Sequence, residues 1–117
     1  MSAGNYDITI DQGSDFKLTL VIKDGGAVRD LDGHLARGHL RESKDSSRYW
    51  AFDFSDSSYD SSGTLVMKMA NDVVADDAST VLSEGNYFYD VEVYTANDAT
   101  VERILQGKAK VTREVTR

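Results

Sequence analysis

Two histidines are the natural place to look for proton-transfer chemistry, because imidazole titrates close to neutral pH. They are His34 and His39, five residues apart in the stretch HLARGHLR. A Ser-His-Asp arrangement needs one serine activated by one such histidine. Neither histidine follows a glycine-rich elbow, and both lie close to arginines in a polar alternating segment, so both are expected on a strand surface. Asp90 and Glu92 are the next candidates. On a strand they share a face about 7 Å apart, a separation that would suit a glycosidase carboxylate pair. Plain alternation places two acids in the same way on any wet strand face. Asp53, Asp56 and Asp60 bring oxygen donors together in a serine-rich stretch. Calcium loops need tighter spacing and a glycine at a set place, so a solvated loop is expected at 53–63. Gly25-Gly26 leads into a strand and offers no helix N-terminus to hold a phosphate. The chain has no cysteine, which excludes thiolate nucleophiles, disulfides and thiolate metal sites. A chain that is no enzyme and carries no cofactor or metal is the expectation.

Binding remains as a way to act. Tyr49, Trp50 and Tyr59, beside the Ser/Asp loop, would make a stacking surface for a carbohydrate-type ligand. The same segment also reads as core, with Trp50, Phe52 and Phe54 inward and the tyrosines at the rim. The formal charge is −7, which repels phosphate backbones and anionic lipid, so neither nucleic acid nor membrane is an expected partner. Lys108, Lys110, Arg113 and Arg117 form a local basic group near the end of the sequence. Such a group can meet an acidic surface, including one on a second copy of the chain. No signal-peptide pattern opens the sequence, and no apolar run approaches the roughly 20 residues of a membrane span. A protein used without export is therefore expected.

The elements that would position these residues follow a two-residue period. Tyr6, Ile8 and Ile10 share one face of a first strand. Phe16, Leu18, Leu20 and Ile22 repeat the pattern after a corner at Gln12-Gly13-Ser14. Such a corner allows one chain segment to serve two stacked sheets. Asp24-Gly25-Gly26 is a hairpin signal, and Asp32-Gly33 marks a turn before a strand from His34 to Arg41. Trp50, Phe52 and Phe54 share one face of a short aromatic strand, and Leu65, Val66, Met67 and Met69 make the next strand. The strongest strand is NYFYDVEVYT, with Tyr87, Tyr89, Val91 and Val93 on one face. After a hairpin loop at 96–99, the closing strand is expected to turn Leu105, Ala109 and Val111 inward and Lys108, Lys110 and Thr112 outward. Val73, Val74, Ala78, Val81 and Leu82 recur at helical spacing, so one short helical segment is expected near 73–83. Length suits one domain over 1–117. The fold class is all-β: an antiparallel, immunoglobulin-like β-sandwich of about seven or eight strands with that single helical segment.

Three stretches together carry a family resemblance: AGNYDITIDQGSDF, VRDLDGHLARGHLRES and EGNYFYDVEVYTANDATVERILQGKAKVTREVTR. They resemble small structural proteins of tailed bacteriophages, and are similar to the β-sandwich N-terminal domains of phage baseplate upper proteins. The resemblance covers nearly the whole chain except 44–63. It implies a virion protein of tail, neck or baseplate, assembled in the host cytoplasm, that binds copies of itself and other virion proteins. It brings no catalytic residues. Strand addition at exposed edges is the expected contact mode. The expected contact residues are Tyr6, Ile8 and Ile10 of the first strand, with Lys108, Lys110, Arg113, Val115 and Arg117 of the last.

Overall fold

The alternating segments become ten strands, seen in a computed structural model that describes residues 4–78, 80–95 and 99–113. In chain order they are β1 (Gly4–Asn5), β2 (Ile8–Asp11), β3 (Phe16–Val21), β4 (Lys23–Asp24), β5 (Ala27–Val28), β6 (His34–Arg41), β7 (Trp50–Ala51), β8 (Thr64–Met69), β9 (Gly85–Thr95) and β10 (Val101–Thr112). Six of them form one sheet in which β10, β9, β6 and β7 follow one another, with β1 and β2 one after the other along the outer edge of β10. β3 and β8 form a second, two-stranded sheet, and β4 and β5 a small hairpin. The core is the apolar half of every alternation, including Ile8, Ile10, Leu40, Leu65, Met67, Val91, Val93 and Val111.

The chain itself joins the two sheets at opposite edges. At one edge, β2 belongs to the large sheet and β3 to the small one. The expected corner between them is a turn in which the Ser14 amide donates to the Asp11 carbonyl at 3.1 Å. Gly13 has φ 81°, the left-handed geometry that the third position of a type II turn requires. At the other edge, the aromatic segment crosses over. Trp50 and Ala51 pair with Leu40 and His39 of β6, while Asp53 forms a bridge with Lys68 of β8. Trp50, Phe52 and Phe54 consequently all point between the sheets and are buried. Rings meet there edge to face, Trp50 on Tyr87 at 5.6 Å and Phe52 on Tyr89 at 6.1 Å, each such pair adding about 1 kcal/mol beyond burial.

Two expectations are corrected. The first is the helical segment near 73–83. Residues 74 and 81 instead form an antiparallel bridge, with the Ala75 amide donating to Thr80 and the Leu82 amide to Val73. Val73, Val74, Thr80 and Val81 are β-branched and favour extended backbone, and the indole Nε1 of Trp50 donates to the Thr80 carbonyl at 3.2 Å. The described residues contain no helix. Second, the strand pairing is not wholly antiparallel. β1 and β2 run parallel to β10, with Gly4 opposite Leu105 and Ile8 opposite Ala109. The corner at Gly13 carries the chain from β2 into β3 of the other sheet, so β2 and β3 do not form a hairpin, and nearly the whole chain serves as the crossover to β10. Leu105, Ala109 and Val111 do line the inner face as expected, Leu105 partly buried opposite Val91, and Ile104 is a further buried residue of β10 that the alternation does not reveal. A bulge between Arg103 and Leu105 adds one residue opposite β9 and resets the alternation.

β1 and β2 keep one register against β10, and the gap between them is bridged by side chains. The Tyr6 amide donates to the Gln106 carbonyl at 2.9 Å. The Tyr6 carbonyl accepts from the buried Tyr89 hydroxyl, and the Asp7 carboxylate accepts from the Lys108 amide at 3.0 Å. This crossing is tight: a Cβ on Gly107 would lie 2.2 Å from the Tyr6 carbonyl oxygen. Gly107→Ala is therefore expected to cost about 1–3 kcal/mol, measured by urea denaturation. A stability equal to that of the parent chain would contradict the close pairing of the first and last strands.

Candidate functional site

The long strands β6, β9 and β10 turn one face inward and expose the other as ordered cross-strand rows. From one end they read Leu35–Tyr94–Val101, Arg37–Glu92–Arg103, His39–Asp90–Gln106 and Arg41–Phe88–Lys108, with Asn86–Lys110 beyond. The bulge at residue 104 is what brings both Arg103 and Gln106 onto this face. Neighbouring residues in a row stand on strands about 4.8 Å apart, so charges interact across every row. The Arg37 Nε donates to Glu92 at 2.9 Å, and Arg103 lies 3.4 Å from Asp90. Arg37 also covers the Tyr94 ring at 4.5 Å.

A hollow of about 340 Å³ opens where the last rows meet the rim of β1 and β2. Arg41, Lys44, Arg103 and Lys108 line it, with His39, Phe88, Asp90 and Asp7. Lys44 reaches over Phe88 at 5.7 Å, and Arg41 covers Tyr49 at 5.1 Å. Tyr49 stacks on His39 with ring centres 3.8 Å apart. Burial, and then the Arg41 charge, lower the His39 pKa below its ordinary value. Both effects favour the neutral form of this stacked ring. The lining of the hollow contains no serine, threonine or cysteine, and the arrangement offers cationic donors and apolar contact. Its chemistry suits a carboxylate-bearing surface.

The structure distributes the sequence candidates unevenly. His39, Asp90 and Glu92 do share this face, but both acids are held by arginines. His34 sits at the start of β6 with Nδ1 3.1 Å from the Asp32 carbonyl. Asp53 and Asp56 turn to Lys68, and Asp60 accepts from Ser58 and Ser62. No group of three or more His, Cys, Asp or Glu able to hold a metal forms among the described residues.

The possible carbohydrate surface comes apart. Trp50 is 1 % exposed in the core. Tyr59 accepts from the Ala36 amide through its hydroxyl, about 17 Å along β6 from the level of Tyr49. Of the expected contact residues, Tyr6, Lys108, Lys110 and Arg113 are exposed, and Val115 and Arg117 lie outside the described residues. Ile8 and Ile10 are corrected: their side chains are buried in the core, because the strand's alternation turns them inward. β10 is also bonded on both edges, to β9 and to β1 and β2, so its backbone cannot receive an added strand. Arg37, Arg41, Lys44 and Arg103 were not singled out from sequence. The signal was present in the alternation of HLARGHLR, but pairing it with VERILQG requires the bulge.

No protein-family model matches the chain, and no curated protein is similar to it.

The packing of His39 has a solution signature. Its neutral form is favoured in the fold, so the stability it contributes is complete above the ordinary value of 6.5 and is lost as pH falls through the lowered folded value. In an NMR titration His39 should show a midpoint below 6.5, and Arg41→Gln should raise it. A parent midpoint at or above 6.5 would contradict the stacked, desolvated position.

Proposed function

We propose that this chain is a non-enzymatic structural module of a tailed-phage virion, in tail, neck or baseplate, working through contacts with copies of itself and other virion proteins. The immunoglobulin-like reading of its sandwich belongs to the same proposal, as does assembly in the host cytoplasm. The virion setting rests on the sequence resemblance. The mode of action rests on one structural observation, the open edge of the large sheet.

β1 and β2 pair with β10 on one side, and nothing among the described residues pairs with their other side. The Tyr6 and Gln12 amides both donate toward β10, and in a parallel pair donors alternate in direction. The amides of Ile8 and Ile10 therefore face β10, and those of Thr9 and Asp11 face outward. An unprotected edge of this kind accepts a strand from another chain. The sequence has no proline to block it, and the exposed side chains there are Thr9 and Asp11.

Mass spectrometry of purified particles should find the chain at a fixed copy number. Its absence from particles would overturn the virion setting. Thr9→Pro should remove an outward donor at a cost of about 1 kcal/mol or less in stability, while reducing incorporation into particles. Ile8→Pro, by contrast, should break the ladder to β10 and unfold the domain. Full incorporation of the Thr9→Pro variant would show that the edge is not the contact.

A further inference from the structure

The charge on this molecule is unevenly placed. The exposed face shared by β2, β6, β9 and β10, with Lys44 reaching over it and Asp7 at its rim, holds six of the chain's thirteen basic residues but four of its twenty acidic ones. Arginines 37 and 103 are matched by Glu92 and Asp90. The excess positive charge therefore collects at the end of the face where β9 begins, on Arg41, Lys44, Lys108 and Lys110. A chain of net charge −7 gathers cations there around an aromatic-floored hollow.

The acidic counterpart stands beside it. The bridged segment 72–82 carries Asp72, Asp76 and Asp77 and exposes two valines, Val74 at 45 % and Val81 at 52 %. These valines are directly opposite each other across the bridge, so they form one apolar patch edged by carboxylates. The segment is fastened to the margin of the basic face. The Asp76 amide donates to the Tyr49 carbonyl at 2.8 Å, and the Asp76 carboxylate accepts from the Tyr49 amide at 3.0 Å. That anchoring holds the hairpin next to the hollow of its own chain, with its valines open.

We infer that this end of the molecule is a two-fold contact between copies, in which each copy lays its acidic, valine-bearing hairpin over the basic hollow of the other. Neighbouring patches of opposite charge, here linked through the Tyr49–Asp76 hydrogen bonds, are self-complementary when a two-fold rotation brings each onto the other, the property an isologous interface requires. Carboxylates then meet lysine and arginine, and the valines cover Phe88. The occupant is a second copy because the missing complement, acid with an apolar centre, is present on the chain itself. The inference rests on the proposed contact function and names the partner for one of its surfaces. It does not use the open edge of β2.

The test is a charge exchange read by sedimentation. The parent chain should dimerise, with a dissociation constant at least 10-fold weaker in 0.5 M salt than in 0.05 M salt. Lys44→Glu with Lys108→Glu on one chain, and Asp72→Lys with Asp77→Lys on another, should each give a folded monomer by circular dichroism. Mixed together, the two variants should form a 1:1 dimer, because every contact then joins opposite charges. A parent chain that stays monomeric, or a mixture that does so, overturns the inference. So does either variant dimerising alone as the parent does. Particles that contain the chain while the purified chain remains monomeric would sink this contact and leave the virion role standing.

Discussion

The parallel pairing of the first strand with the last is the constraint on which the rest of the molecule depends. It seals one edge of the long β9–β10 hairpin, carries Ile8 and Ile10 into the core beside Ala109 and Val111, and leaves the outer side of β2 as the sheet's open edge. Its weak point is where β1 gives way to β2. There the backbone ladder is interrupted, and three side-chain features take over: the Tyr89 hydroxyl on the Tyr6 carbonyl, the Asp7 carboxylate on the Lys108 amide, and the absent side chain of Gly107. Burial and the neighbouring Asp7 raise the pKa of Tyr89, so its proton stays in place as a donor well above neutral pH. A buried carbonyl left without a donor costs about 1–3 kcal/mol, comparable to a sizeable part of a small domain's total stability.

Strand positions were legible because burial on one face imposes a period of two. β6 begins and ends where the alternation of HLARGHLR begins and ends, and the inward face of β9 is the one its spacing predicts. The corner at Gly13 was legible because one glycine separates two alternating runs of different sheets. What failed shares a cause: each case needed a partner segment remote in sequence. Val73 to Leu82 repeats at helical spacing, yet Trp50 and Thr80 settle it as a bridged turn. The parallel direction of β2 depends on β10, a hundred residues away. The bulge at Ile104 shows only as a slip between register with β9 above and below it.

The exposed face was legible in pieces. Lys108 and Lys110 stood out as a basic group, and His39, Asp90 and Glu92 as polar candidates. Their assembly into rows with Arg37, Arg41 and Arg103 depends on three strands in register, which no single segment states. The rows also decide what those residues do. Asp90 and Glu92 are neutralised by arginines, and His39 is stacked and desolvated, so the face offers charge and shape to a partner surface. In the proposed contact role the labour is divided between the edge, which receives backbone, and the face, which receives carboxylates.

Amide hydrogen exchange on the dilute chain tests the central pairing most directly, because the parallel ladder dictates which donors are protected. Slow exchange at Ile8, Ile10 and Gln12 with fast exchange at Thr9 and Asp11 is the pattern the structure requires. Fast exchange at all five, or protection on the odd-numbered residues instead, would mean that the first strand does not lie along the last, and the open edge derived from that pairing would go with it.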